Sequence, residues 1–390
     1  MSIHWGNWDV RVYAAQAWVS LASRFAAEHP EIVDRLEASL DDPAPSVRDQ
    51  VAQNLQVLSV AVPERMWEIG RRIVTTETNT HILAAFLNAL VTRLGHAAPE
   101  RCEALLAIVR ERLNGDLRRD REGRDHIQES LGCRTAQLYV GQGRALTRSW
   151  LEEWAAHPDR YLQLLDGFSS SLRRALFERY GSTPDAQAYA ICDRAQEGLS
   201  LVITSAAKFS AEAYTVMTSG AAEAERAAAE VRFAAAEKVI HHAMSQLYFG
   251  SGAFANNGRN TAPGLPGPVA MARFLTDYAA LLTLLGSSRQ PSTLHHLVQL
   301  YEFLIPGDPV RVFEAIHTIL LGRGEEEGYH HESLGNSVVV GIVQRYLADY
   351  REIFDNQGRR GRLVAILQLF SEVGWPEALK LLYQLPDLLR

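Results

Sequence analysis

The sequence is poor in residues that several specialised folds depend on. Cys102, Cys133 and Cys192 are its three cysteines, far apart and without a CxxC spacing. That excludes a disulfide-stapled scaffold and a cysteine zinc site, and suits reduced thiols in a cytoplasmic protein. Lysine is nearly absent: of 39 basic residues only Lys208, Lys238 and Lys380 are lysines, so arginine carries the positive charge. With alanine also abundant, we read this as base composition rather than a design for phosphate. A net charge of -7 leaves the chain without the positive field that sequence-independent nucleic-acid binding uses. No apolar run approaches the length of about eighteen residues that a membrane span needs. The opening MSIHWGNWDV has no basic segment leading into an apolar one, so neither secretion nor membrane insertion is expected.

Catalytic signatures are missing as well. There is no GxxxxGK[ST] phosphate loop and no GxSxG elbow. GQGRAL at 141–146 lacks both a preceding hydrophobic strand and the third glycine of a dinucleotide fingerprint. The sequence therefore predicts no enzyme activity, no cofactor and no metal. What is present is an ordinary globular composition, 47% hydrophobic and 22% charged over 390 residues. That length holds two or three domains or one extended repeat array.

A repeat is visible. Placing Val47-Arg48 over Val10-Arg11 carries Ala52 onto Ala15, Leu55 onto Trp18 and Leu58 onto Leu21, all at helical core spacing. A weaker third copy, HILAAFLNALVTRL, puts Ile82, Phe86, Leu87 and Leu90 on one face. A second marker interleaves with the first: Pro30-Glu31, Pro63-Glu64 and Pro99-Glu100 each open a predicted helix. Proline suits the first helical turn, where its missing N–H would be unpaired, and glutamate complements the positive end of the dipole. Counting three, six and ten residues onward gives Val33, Leu36, Leu40, then Met66, Ile69, Ile73, then Cys102, Leu105, Val109. The same count from Pro158 gives Tyr161, Leu164 and Phe168, a fourth unit displaced by the insertion NGDLRRDREGRD at 114–125.

Each unit thus reads as a Pro-initiated helix, a short acidic turn and a Val-Arg helix, as in PEIVDRLEASLDDPAPSVRDQVAQNL. This resembles the HEAT repeat, closely over residues 8–113 and less so to about 180. The resemblance implies an all-α solenoid of helical hairpins over 1–181, with Asp41 or Asp42 and Arg48 in a polar ladder between neighbouring repeats. It further implies that the second helices line a concave surface. Gln50, Gln53 and Asn54, then Asn88 and Thr92, then Gln128 and Gln137 would stand on it. A neutral, amide-rich trough suits a protein partner better than a polyanion. The first Val-Arg helix has no partner helix before it, and Trp5, Trp8 and Trp18 gather there. Three readings stay open: a partner covers that end, Trp5 and Trp8 fold back over it, or the chain is part of a longer polypeptide.

Beyond 181 the repeat is lost. Residues 182–249 are predicted as long alanine-rich helices, forming a non-repeat middle region. GSGAFANNGRNTAPGLPGP at 250–268, with five glycines and three prolines, marks a loop. Irregular helical repeats follow over 269–390, with SVVVGIV assigned to a buried helix. GWPEALKLLYQLPDLLR is similar to the helical-repeat tails by which bacterial multidomain NTPases, defence proteins among them, recognise targets.

Two arginine clusters are candidate anion sites: Arg118, Arg119, Arg121 and Arg124 in the insertion, and Arg359, Arg360 and Arg362 in NQGRRGRL. Acidic residues interleave with the first, which favours local pairing. The His doublets 241–242, 295–296 and 330–331 lack metal-ligand spacing and read as solvated helix ends and loop positions. The sequence therefore predicts a non-enzymatic, protein-binding scaffold or sensor subunit. The alternative is a nucleic-acid-binding HEAT protein that uses the arginine clusters.

Overall fold

A computed structural model describes residues 10–115, 117, 121–181, 183–254 and 264–388, without the side chains of 121–124, 333, 334 and 336. Among these residues all regular structure is helical and no strand occurs. The chain divides into two compact units, Met1–Trp154 with Gln163–Ser171, and Ala155–Leu162 with Leu172–Arg390. The middle region and the C-terminal helices, separate in the sequence reading, thus belong to one unit.

The first unit begins with α1 (Val10–Phe25), α2 (Pro30–Ser39), α3 (Pro45–Ala52), α4 (Pro63–Thr76) and α5 (Thr80–Leu94). It continues with α6 (Pro99–Asn114), α7 (Arg121–Ala136), α8 (Ala145–Ala156) and α9 (Leu162–Ser170). The expected prolines open α2, α4 and α6, each followed by glutamate in the first turn and none with a side-chain cap. α5 starts differently: the Asn79 side chain accepts from the His81 and Ile82 N–H groups at 3.0 and 3.3 Å. Helices two apart in sequence pack together, α3 between α1 and α5, α5 between α3 and α7, and α4 against α6. Of the nine core positions counted from the prolines, only Leu40 is not fully buried. Ile82, Phe86, Leu87 and Leu90 are 0% exposed. Each such side chain contributes about 1.5–3 kcal/mol by leaving water.

Two expectations need correction. The second Val-Arg helix was expected to run through Leu58, yet α3 ends at Ala52 and Leu55–Leu58 forms a 3-10 turn. Asn54 breaks the helix: at φ -118° and ψ 5°, its side-chain amide donates to the Gln50 carbonyl at 2.8 Å. Leu55 and Leu58 stay buried all the same. Nor does Pro158 open a helix. It lies in a turn where the Arg160 and Tyr161 N–H groups both bond to the His157 carbonyl, and α9 starts only at Leu162.

Arg48 and Asp42, the residues expected in a polar ladder, both bond between segments. Arg48 forks onto Glu77 at 2.8 and 3.0 Å and donates to the Asp42 carbonyl at 2.9 Å. From α1, Arg11 pairs with Asp42 at 3.0 Å. Glu77 also accepts from the Thr78 and Asn79 N–H groups, so one carboxylate fixes both Arg48 and the entry to α5. On the Pro-initiated helices Arg65 pairs with Asp34 and Glu37, Arg72 with Glu37 and Asp41, and Arg101 with Glu64. These exposed pairs contribute little individually, about 0–1 kcal/mol each. They do fix register from helix to helix.

The second unit is built on α10 (Ala186–Met217) and α11 (Glu223–Ser251), which run antiparallel, Ser210 meeting Glu237 and Tyr214 meeting Phe233. Buried alanines, among them Ala206, Ala213, Ala229 and Ala236, let the pair approach closely. Then come α12 (Pro268–Asp277), α13 (Ala279–Leu285), α14 (Pro291–Leu304), α15 (Pro309–Ile319), α16 (Ser333–Asp349), α17 (Gln357–Glu372) and α18 (Pro376–Leu388). SVVVGIV lies in α16 with Val339, Ile342 and Val343 buried. Among the described residues no single helix is long and apolar enough to cross a membrane; the apolar α12 and α13 are bent by 73° to one another.

The histidine doublets of this unit are not all solvated helix ends. His296 stacks between His241 and Tyr248, with ring centroids at 5.1 and 4.7 Å. His241 Nδ1 meets the Thr293 hydroxyl at 3.2 Å and His295 Nδ1 meets the Tyr329 hydroxyl at 3.1 Å. Burial lowers the pKa of all three, and takes His296 from the ordinary 6.5 to about 4, with His241 and His295 adding repulsion. Glu332 favours the charged form of His295, and Glu302, which acts on the neighbouring Tyr248 and Tyr329, is itself pushed upward by burial. Between these two pH values the unfolded chain binds more protons than the folded one, so stability is full above 6.5 and lost as pH falls toward 4. The urea midpoint of the second unit is expected to drop across that window, and His296→Phe to flatten the drop. A midpoint that does not change from pH 7 to 4 would contradict the stacking account.

Candidate functional site

The break after α3 creates a groove. The segment from Gln53 through Gln56, Val57, Ser59 and Val60 forms one wall, and Ala85, Asn88, Ala89, Thr92 and Arg93 of α5 form the other. Together they flank an open groove of about 870 Å³. Ala85, Asn88, Ala89 and Thr92 share one helix face because they follow i, i+3, i+4, i+7 spacing. Two alanines there leave room for an incoming chain to approach the helix backbone. Val60 is 92% exposed, an unusual position for a β-branched apolar side chain. Arg93 is the single charged residue of the lining. The Gln56 side chain donates to the Gln53 carbonyl at 3.1 Å, while its Oε1 is buried with no hydrogen-bond partner.

Three of the predicted partner-binding residues, Gln53, Asn88 and Thr92, come together in this groove. The others do not line it. Gln50 accepts from Gln16 at 3.0 Å, Asn54 caps α3, and Gln137 donates to the Val91 carbonyl at 2.9 Å. The Gln50 and Gln137 amides thus tie together helices two apart in sequence. Asn88 and Thr92 also reach across to α7, bonding Ser130 and Arg134. Gln128 is half-buried and off the groove. Sequence reasoning missed Gln56, Val57, Val60, Ala85, Ala89 and Arg93, because the regular helix expected through Leu58 hid the wall. The usable signal was Val60 itself, an apolar residue in the turn before Pro63.

Trp5 and Trp8 lie outside the described residues. The helix they precede, α1, leaves Val10, Tyr13, Leu21 and Phe25 exposed, with Trp18 half-buried. Arg118 and Arg119 likewise lie outside the described residues, as do the side chains of Arg121 and Arg124 at the start of α7. The second arginine cluster is engaged locally. Arg359 and Arg360 donate through Nε to the Ile353 and Phe354 carbonyls at 2.6 and 2.5 Å, and Arg362 pairs with Glu314. The first two thereby satisfy carbonyls left open at the end of the preceding 3-10 turn. All three cysteines are free, and burial pushes the Cys102 thiol up to about 12, which makes it unreactive. Among the described residues no three side chains of the metal-ligating types converge. No family model matches this sequence, and no curated protein matches it.

Proposed function

We propose that the first unit is a HEAT-like helical solenoid that binds a protein segment in the groove between residues 53–60 and α5. It would act without enzymatic chemistry, as the scaffold or sensor portion of a complex. The alternate packing of helices and the Arg11–Asp42 and Arg48–Glu77 ladder support the repeat reading. One observation carries the binding reading: the groove is nearly neutral, with an exposed Val60 in a lining that also holds the Gln53 and Asn88 amides. An apolar anchor beside amide donors and acceptors matches a peptide, whose backbone offers both. A polyanion would need several cations, and the groove offers Arg93 alone.

The test is capture of the tagged chain from its host at moderate and high salt, comparing the wild type with Val60→Asp and Ala89→Arg. A stoichiometric protein is expected to survive high salt and to fall at least about tenfold in either variant, as hot-spot disruption does. Circular dichroism should show both variants folded. Recovery of nucleic acid that is released by salt, or a partner indifferent to both substitutions, would contradict the assignment.

A further inference from the structure

Inside the second unit a small polar cavity of about 240 Å³ lies between α10, α11 and the turn before α14. Ser210, Tyr214 and Thr215 line it from α10, Glu237 from α11, Ser288 and Arg289 from the turn, and Arg323 from beyond α15. Gly322, at φ -112° and ψ -109°, breaks the helical path just before Arg323. Ala207, Ala211 and Ile240 complete the wall with apolar surface.

Glu237 is the residue that the fold alone does not explain. It is 5% exposed, and its carboxylate accepts from the Ser210 and Ser288 hydroxyls, each at 2.6 Å, and from the Arg289 N–H at 3.3 Å. All three donors are neutral. Among the described residues no ion pair includes this carboxylate, and a buried carboxylate without a counter-charge is costly. A cationic group entering the cavity would supply what is missing. Opposite in sign are the two guanidinium groups. Arg289 lies 3.5 Å from the Tyr214 ring centroid and gives its Nη1 to Glu327 at 2.5 Å. Arg323 pairs through Nη1 with Glu326, and its Nε is buried without a partner. Both arginines are therefore held in place with donors to spare.

We propose that this cavity binds a free α-amino acid as its zwitterion. The ammonium takes the place of the absent counter-charge on Glu237, with Ser210 and Ser288 beside it. The carboxylate is received by the remaining guanidinium donors of Arg289 and Arg323. Charge balance favours a zwitterion over phosphate: three carboxylates, Glu237, Glu326 and Glu327, already stand against two guanidinium groups, so a dianion would be repelled. Size agrees, since the volume is below the roughly 300–1,000 Å³ of drug-sized ligand sites. Ala207, Ala211 and Ile240 select a small aliphatic side chain. Such a ligand site in the second unit is separate from the groove of the first and does not depend on its role.

The experiment is calorimetric titration of the full chain with each standard amino acid at up to about 20 mM. A small aliphatic amino acid is expected to bind, while its amide, lacking the carboxylate, and its deamino acid, lacking the ammonium, do not. Glu237→Gln should weaken binding by about tenfold or more. The analogue series is read on the wild type, so it decides the matter even if that variant folds poorly. No binding by any standard amino acid, or equal binding of the deamino acid, would overturn the proposal.

Discussion

Replacing Arg48 by methionine is expected to cost the first unit about 3 kcal/mol, within the range seen when one partner of a buried ion pair is removed. The Arg48 and Glu77 side chains are only 16% and 8% exposed. Truncating the arginine strands a carboxylate that cannot reach water, although the Thr78 and Asn79 N–H groups temper the loss. It also frees the Asp42 carbonyl, to which Arg48 donates. The cost arises from the unpaired charge rather than from the pair's own net attraction. Adding Glu77→Leu to Arg48→Met should therefore recover part of the loss, the remainder being the Thr78 and Asn79 N–H bonds to Glu77 and the Arg48 bond to the Asp42 carbonyl. Urea unfolding of the single and double variants measures both. A double variant as unstable as the sum of the singles would show that the ladder acts through something other than charge burial.

The second large effect is expected at Gly132. A Cβ there would run into the Leu164 carbonyl and lie 2.9 Å from the Phe168 nitrogen, while a Cβ on Gly167 would meet the Glu129 carbonyl. α7 and α9 thus touch backbone to backbone, each through a glycine. No flexible side chain can yield, so the helices must separate. Gly132→Ala and Gly167→Ala should each destabilise the first unit by about 3 kcal/mol, the upper part of the range for overpacking. Gly141→Ala is the control: nothing lies within 4 Å of its added Cβ. Its effect should stay within about 1 kcal/mol, the helix-propensity difference. Equal effects at Gly132 and Gly141 would contradict the close approach.

The helices of the first unit were legible in the sequence because proline positions and apolar spacing repeat there. Pro30, Pro63 and Pro99 placed three helix starts correctly, and the residues counted from them form the core. Arg48 stood out as a ladder residue, but its partner Glu77 did not, since nothing in the sequence links residues 29 apart across a turn. The groove was half visible. Gln53, Asn88 and Thr92 follow from helix phase, whereas Val57 and Val60 depend on the helix break at Asn54, a matter of side-chain bonding rather than periodicity. Nothing in the sequence marks Gly132, because close approach is a property of two helices and not of one. The histidine doublets misled for a related reason: adjacency in sequence hid that His241 and His296 come from different helices and stack. The sequence reading had no access to the cavity around Glu237, which four separate segments assemble.

The central claim, that the groove beside α5 holds a protein segment, is tested most directly by a photo-crosslinking amino acid at Val60 in the native host. A matched probe at Arg71, on the Pro-initiated α4 and outside the groove, serves as the control. The account predicts one discrete protein adduct at Val60 that persists at high salt and is absent at Arg71. No adduct at Val60, the same adducts at both positions, or crosslinked nucleic acid in place of protein would contradict it.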